Sequence, residues 1–363
     1  MQSSASSSHG SPVARRQTPI QVDIRVQPRL DMLGSASQSL TSDASSFEEE
    51  NGRTYHGRFG GSGQPMRTHH PGRYRAGSMW FFRRPAFLTY LQTAYLFPND
   101  STEADRLDHQ YEILKRTFYG KNYFAPLSNP ERILDIGTGT GKWAIEMGDD
   151  FPKAEIQATD LSPIQPSNVP ANVHFFIDDA SEEDWAVPPA HFDYIHTRVL
   201  LGCFTDFRET IRKAFFYTKP GGYVESQEIM STPYCDDGSM PDDWVFLEWS
   251  RFSESAAVAA GRPLQIADKL KRWYEEVGFV DVQERVFRLP MNPWPRDPHL
   301  KALGRMSECN WLAGLSGLSM AYFYRVLNWT KPQIEACRAP TSAQIMELMD
   351  LTGVPRQRPP SSI

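Results

Sequence analysis

The string Leu134-Asp135-Ile136-Gly137-Thr138-Gly139-Thr140-Gly141 runs from an apolar stretch into a turn with glycines spaced G-x-G-x-G. Glycine lets the chain bend sharply and lets a ligand approach the backbone. A pyrophosphate-binding loop reads G-x-G-x-x-G and presents a helix N-terminus to the anion. Here the spacing differs, and Asp135 stands just ahead of the first glycine, where a carboxylate would repel a pyrophosphate. It suits instead a ligand carrying an ammonium or a sulfonium, and S-adenosyl-L-methionine carries both. Asp160 follows about 20 residues after the loop, at the end of the next apolar run, where an acid can accept hydrogen bonds from both hydroxyls of a ribose. Asp178 and Asp179 end a third run, where one acid could meet the adenine amino group. The competing reading is a set of solvated loop acids. Three acids at successive strand ends beside one glycine turn favour a single constellation.

A methyl transfer is a direct displacement, so the protein must hold the nucleophile in line and, for some acceptors, remove its proton. The end of the fourth strand offers Tyr194, His196 and Arg198, with Tyr194 and His196 on one face by strand alternation. His196 is the candidate catalytic base, since an unperturbed imidazole titrates near pH ~6.5. The alternative is a hydrogen-bonded structural histidine. Glu225, Glu228 and His56 are weaker candidates, and no spacing suggests a metal site.

The elements that must position these groups can be read from apolar periodicity. Ile133–Ile136, Glu155–Thr159, Val173–Ile177, Phe192–His196 and Tyr223–Glu228 read as buried strands. Helical stretches lie between them, at Trp143–Met147 and Phe207–Phe216. Strands alternating with helices predict right-handed crossovers and a parallel α/β sheet with helices on both faces. A helix starting at Asp100 and passing Leu107 is expected to cover the ligand, together with Tyr55 and Tyr95. Beyond Met230, helices at about 240–262 and 299–327 are expected to form a cap holding Trp244, Trp249, Phe252 and Trp311, with Trp294 in the loop between. A helix over Leu264–Val277 and a strand over Val280–Leu289 complete the pattern.

The chain has 363 residues, 40% hydrophobic and 23% charged, which suffices for a proper core. A net charge of −6 argues against a dedicated nucleic-acid binder, whose footprint is basic. The four cysteines, at 203, 235, 309 and 337, form no C-x-x-C pair, which suggests neither a disulfide framework nor a cysteine-rich zinc site and fits a reducing compartment, cytoplasm or nucleus. Residues 1–50 are Ser-rich and poor in aromatics, the composition of a disordered tail. The aromatic run Met79–Leu91 is interrupted by Arg83, Arg84 and Pro85, whereas a membrane span needs ~20 apolar residues, so no membrane role is expected.

Ile133–Gly141, Asp160-Leu161-Ser162-Pro163-Ile164-Gln165-Pro166, Asp178-Asp179, Asp193-Tyr194-Ile195-His196 and Lys219-Pro220-Gly221-Gly222-Tyr223 resemble class I S-adenosylmethionine-dependent methyltransferases. Arg53–Gly57, Phe97–Asp100 and Leu289–Trp294 extend the resemblance to the fungal LaeA-like methyltransferases of secondary metabolism. It covers roughly residues 51–335. The glycine motif is specific only to the class, the Asp-Leu-Ser-Pro-Ile-Gln-Pro string much more so. The resemblance implies a Rossmann-like, seven-stranded sheet and S-adenosyl-L-methionine as cofactor. Asp135, Gly137, Gly139 and Gly141 would line its methionine part, Asp160 would hold the ribose, and Asp178 or Asp179 would face the adenine.

The chain also departs from that family. Residues 51–100 read as an N-terminal lid in which 58–93 is an insertion, and 336–363 is a Pro/Ser tail with one short helix candidate, Gln344–Leu351, where a final strand is expected. Without that strand, the sheet partner of Val280–Leu289 would be unpaired. Two functions remain open at this level. One is an enzyme that methylates O or N of a small-molecule or modified-peptide acceptor. The other is a LaeA-like nuclear regulator of secondary-metabolite gene clusters, acting through protein partners. An NAD-linked dehydrogenase is disfavoured by Asp135 and the glycine spacing.

Overall fold

A computed structural model describes residues 21–22, 47–50, 53–56, 96–235, 238, 240 and 244–338 of the chain. Ile133, Leu134 and Ile136 place apolar side chains on both faces of β4 (Arg132–Ile136), and all three are buried. A strand apolar on both sides belongs in the middle of a helix-covered parallel sheet. It is flanked on one side by β5 (Glu155–Asp160) and β6 (Val173–Ile177), on the other by β7 (Phe192–Arg198) and β8 (Thr218–Gln227). The order is β6-β5-β4-β7-β8, and every neighbouring pair runs parallel. The chain order reverses across β4, which opens a crevice beyond the carboxyl ends of the strands, the place where such sheets bind ligands.

Helices cover both faces. α1 (Ser101–Thr117) starts at Asp100, whose carboxylate accepts the Glu103 N–H and pairs with Arg53 of β3 (Arg53–His56), itself paired with β2 (Phe47–Glu50). α2 (Lys142–Asp150) buries Trp143, Ala144 and Met147 against Ile133, Ile156 and Tyr194. The opposite face packs α3 (Phe207–Tyr217) through Phe207, Ile211 and Ala214 onto Leu134, Ile195 and Val224. α4 (Val245–Ala259) and α6 (Pro298–Ser319) enclose a separate apolar cluster with a π-helical turn at Met320–Tyr324, holding Phe246, Trp249, Leu315, Tyr322 and Phe323. These are the cap helices expected from the sequence. α6 lies along α1, where Arg106 Nη1 donates to Asn310 Oδ1 at 3.2 Å. Trp244 and Trp311 pack against the cluster, while Trp294 is 74% exposed.

Two expectations are corrected. The described parallel sheet has five strands, against the seven implied by the resemblance. Of Val280–Leu289, the stretch expected as a strand, only Val280 lies in a ladder, as the second residue of β9 (Phe279–Val280). It follows α5 (Leu270–Val277) and the left-handed Gly278 at φ 117°, and pairs antiparallel with β1 (Gln21–Val22). Beyond it, the chain is held by side chains instead of a ladder, with Phe287 against Phe118 and Phe124 at 5.0 and 5.4 Å. Of residues 1–50, read from composition as a disordered tail, 21–22 and 47–50 are described, as the short strands β1 and β2, and the rest lie outside the described residues. Residues 331–338 are helical. The expected insertion 58–93, Tyr95 and the Gln344–Leu351 helix lie outside the described residues, as do the side chains of Tyr55 and His56.

Candidate functional site

The turn from β4 into α2 is built on three left-handed glycines, Gly137, Gly139 and Gly141, at φ 68°, 59° and 82°. Their neighbours separate their duties. A Cβ on Gly137 would stand 2.4 Å from Leu200 Cδ2, and one on Gly141 2.4 Å from Phe175 Cζ, so the first and third glycines are required by packing. A Cβ on Gly139 would meet nothing nearer than Leu107 Cδ1 at 3.8 Å. The middle glycine therefore presents backbone to the open crevice.

The turn is fastened to the end of β5. Thr138 N–H donates to Thr159 O at 2.9 Å, and Gly139 N–H donates to Asp160 Oδ2 at 2.7 Å. Asp160 Oδ1 accepts the Ser162 N–H at 2.9 Å, and the Gln165 amide donates to Gly139 O at 2.7 Å and Ser162 O at 2.9 Å. The Asp-Leu-Ser-Pro-Ile-Gln-Pro string is thus a brace for the glycine loop. In the sequence Gln165 is one member of that string, and the fold makes its bond to Gly139.

Asp135, Asp160, Asp178 and Asp179 all line one cleft with Gly137 and Gly139, about 1140 Å³ including its open mouth. Burial, with the charge of Asp135 adding to it, pushes the Asp160 carboxyl up to about 6. Both Asp160 oxygens accept backbone N–H groups, and an ionised carboxylate offers about four lone-pair sites, so ribose hydroxyls can still donate to it. Asp179 Oδ1 is occupied by the N–H and hydroxyl of Ser181, at 2.8 and 2.6 Å. Asp178 leads off β6 through its own N–H to Asp160 O at 3.0 Å.

His196 lies level with Asp135 across the β4–β7 ladder, and its Nδ1 is 2.7 Å from Asp135 Oδ1. Its ring stacks on Trp143 at 3.7 Å, is 0% exposed, and lines the cleft wall. Burial lowers its pKa, although Asp135 pulls the other way. The consistent state at neutral pH is an uncharged ring with Nδ1–H donating to Asp135 and a lone pair on Nε2. That Nε2 is buried without a partner.

The weaker acid candidates are both anchors. Glu225 Oε2 accepts the N–H groups of Phe124 and Ala125 and the Tyr194 hydroxyl, at 2.8, 3.0 and 3.0 Å. Glu228 accepts the N–H groups of Leu200 and Leu201, and burial pushes its carboxyl up to about 8. These bonds hold the cover segment and the loop after β7. That loop runs under the cap, where a Cβ on Gly202 would stand 2.7 Å from the Tyr322 hydroxyl.

Three buried polar atoms at the cleft residues lack partners: Thr138 Oγ1, His196 Nε2 and Arg198 Nη1. Such atoms are costly unless a ligand or water completes them. Carboxylates, exposed glycine backbone and unpaired donors and acceptors together fit a ligand bearing hydroxyls, a cation and an anion. Leu107, Gln110 and Tyr111 of α1 line the cleft. Cys203 and Arg262 also line the cleft; no motif marks either, and topology alone brings them there.

The profile of a methyltransferase domain family matches residues 108–284. The methyltransferase pytC of Aspergillus terreus is 36% identical over 317 residues, covering 87% of each chain. The secondary metabolism regulator LAE1 of Cochliobolus heterostrophus is 35% identical across 67% of this chain and 83% of its own. The protein-methionine methyltransferase laeA of Emericella nidulans is 30% identical across 85% of this chain and 75% of its own.

Proposed function

The chain belongs to the fungal methyltransferase family that includes pytC and the LaeA-type proteins, and on that premise we propose that it transfers a methyl group from S-adenosyl-L-methionine to an oxygen or nitrogen of a secondary metabolite or modified peptide. The observation that carries this reading is the meeting of Asp135, Asp160 and Asp178, at or next to the ends of β4, β5 and β6, around a left-handed glycine loop. The loop from Gly137 to Gly141 holds the methionine part, Asp160 the ribose, and Asp178 or Asp179 the adenine. When bound, the cofactor supplies an electrophilic methyl on a sulfonium.

The chain's own residues then have simple duties. Asp135 supplies negative charge to the cationic ligand, and His196 fixes the orientation of Asp135 through Nδ1–H. The Nε2 lone pair of His196 is the proton acceptor for the nucleophile. α1 shields the reacting centre from water.

A second reading rests on the relatives. One is named as a regulator and one for methyl transfer to protein methionine, so the same pocket can serve a protein acceptor or a regulatory partner in the nucleus or cytoplasm. No helix among the described residues is long and apolar enough to cross a membrane. Isothermal titration against S-adenosyl-L-methionine and NAD tests the shared premise. The expected result is saturable binding of the first and none of the second, and the reverse pattern overturns it.

A further inference from the structure

Arg262 enters the cleft from the cap, just past the end of α4, and the chain is bent to put it there. Gly261, left-handed at φ 70°, closes the helix. Its N–H donates to Val258 O at 2.9 Å, and the Arg262 N–H donates to Ala257 O at 2.8 Å. These are the two bonds of a Schellman motif, which turns the following residue off the helix axis. A Cβ on Gly261 would meet nothing within 4 Å, so the glycine is there for its φ alone. The segment that follows is sewn down on both sides. Pro263 O accepts the Gly202 N–H at 3.2 Å, and Glu254 Oε2 accepts the N–H groups of Leu264 and Gln265 at 3.0 and 3.2 Å.

The side chain so placed is only 8% exposed and lines the cleft. A guanidinium keeps its charge when buried, and arginines are rarely buried unless an acid answers them. Here Nη1 donates to Cys203 O, and among the described residues no carboxylate pairs with the group. Glu254, the nearest acid before it in sequence, is occupied by backbone N–H groups. The other cations of the cleft are engaged elsewhere. Lys142 pairs with Asp108 and Glu112 at 3.6 Å each. Arg198, two residues beyond His196 on β7, donates through Nε to Gln227 Oε1 at 2.7 Å and through Nη2 to Asn122 O at 3.2 Å, and lies over the Tyr111 ring.

The cleft therefore has two unlike parts. Asp135, Asp160 and Asp178 end or follow the strands beside the glycine loop, an arrangement that repels an anion. Arg262 arrives from the cap and is bonded to the loop after β7, whose Val199, Leu200 and Phe204 line the cleft with apolar surface. A rigid fork of donors next to apolar surface suits an apolar molecule that carries a carboxylate.

We propose that Arg262 is the receptor for a carboxylate on the methyl acceptor, so that this chain acts on acids with an apolar body, the carboxylate standing apart from the oxygen or nitrogen that is methylated. This names the substrate class of the transfer proposed above and rests on that reading. The carboxylate is a handle that the transfer leaves unchanged. One guanidinium nitrogen holds the loop after β7 and the others hold the acceptor. The competing role is a clasp that only ties the cap to that loop, and the test separates the two.

The test is isothermal titration of the full chain saturated with S-adenosyl-L-homocysteine. The probes are phenylacetate, phenylpropanoate and octanoate, each against its own amide, which keeps the shape and removes the charge. A charge-assisted contact is worth on the order of 10–100-fold in affinity. The wild-type protein is expected to prefer at least one acid over its amide by that factor. R262M should bind the two equally, with its affinity for S-adenosyl-L-homocysteine unchanged. R262K, which retains the charge without the fork, should lose at least about threefold of the preference, and it decides the matter should R262M fail to fold. A wild-type protein that prefers none of the acids overturns the proposal. So does an R262M or R262K protein that keeps the full preference, which gives the acid to another cation, or one that weakens acid and amide in proportion, which makes Arg262 a clasp only. If S-adenosyl-L-homocysteine itself does not bind the wild-type chain, the cofactor reading falls, and this proposal with it.

Discussion

Asp160 Oδ2 accepts the backbone N–H of Gly139 at 2.7 Å, which ties the acid assigned to the ribose to the glycine that faces the ligand. Loop shape and ribose recognition thus depend on one carboxylate. Its pKa is raised to about 6, chiefly by burial. Below that pH the group is protonated, with less negative charge and one acceptor fewer. Cofactor affinity should therefore rise several-fold between pH 5 and 7 and level off above. The stability contribution has the opposite sign. A raised carboxyl pKa stabilises the ligand-free fold at acid pH, and that contribution is lost as pH rises through 6. Asp160→Asn should bind about 1–3 kcal/mol more weakly with a flat profile. Equal wild-type affinity at pH 5 and 7 would count against the assignment.

Gly139 and Gly141 should fail differently when replaced. Gly139→Arg places a side chain where the backbone is open to the cleft, and should abolish cofactor binding with only a modest loss of stability from the left-handed φ. Gly141→Ala drives its Cβ into Phe175, and should lower stability by about 1–3 kcal/mol before any effect on binding is considered. Thermal melts alongside titrations separate the two. Similar melting losses in both variants would contradict the division of roles.

Replacing His196 tests its double role. As proton acceptor it contributes on the order of 10²–10⁴ in turnover. His196→Ala should show that loss at saturating cofactor, with affinity changed only through the freed Asp135 carboxylate. Retained turnover with weakened binding would reduce His196 to positioning Asp135.

Removing Glu225 should unfold the cover before it touches chemistry. Glu225→Ala leaves the N–H groups of Phe124 and Ala125 and the Tyr194 hydroxyl without their acceptor in a buried site. Each such orphan costs about 1–3 kcal/mol, so chemical denaturation should show a loss of several kcal/mol. A stability change below about 1 kcal/mol would mean that water replaces the carboxylate easily.

The floor of the site was legible because local rules governed it. The apolar runs at Ile133–Ile136, Val173–Ile177 and Phe192–His196 could only be buried strands, and acids at their ends had to converge once the strands were parallel. The expected bounds fell within one or two residues of those observed, apart from β8, which starts five residues early at Thr218. What escaped depends on distant partners. Glu225 looked like a candidate base because nothing near it in sequence shows that the N–H groups of Phe124 and Ala125, about a hundred residues earlier, converge on it. Alternation at Val280–Leu289 suggested a strand, but a ladder needs a neighbour, and Phe287 found Phe118 and Phe124 instead. Arg198 was visible as a charged residue at a strand end. That one of its nitrogens would be left over could not be read before Gln227 and Asn122 were brought to it.

The clasp of Glu225 on Phe124 and Ala125 also sets an order of events during synthesis. Ribosomes add roughly 5–20 residues per second, so α1 emerges roughly 5–20 s before the carboxylate that will pin the segment behind it. Until β8 joins β7, that lid has no latch, and Tyr194 has no acceptor for its hydroxyl. A nascent chain halted before residue 225 would carry a finished glycine loop under an unfastened roof. The ability to retain a ligand should arrive late, and abruptly, in the protein's biogenesis.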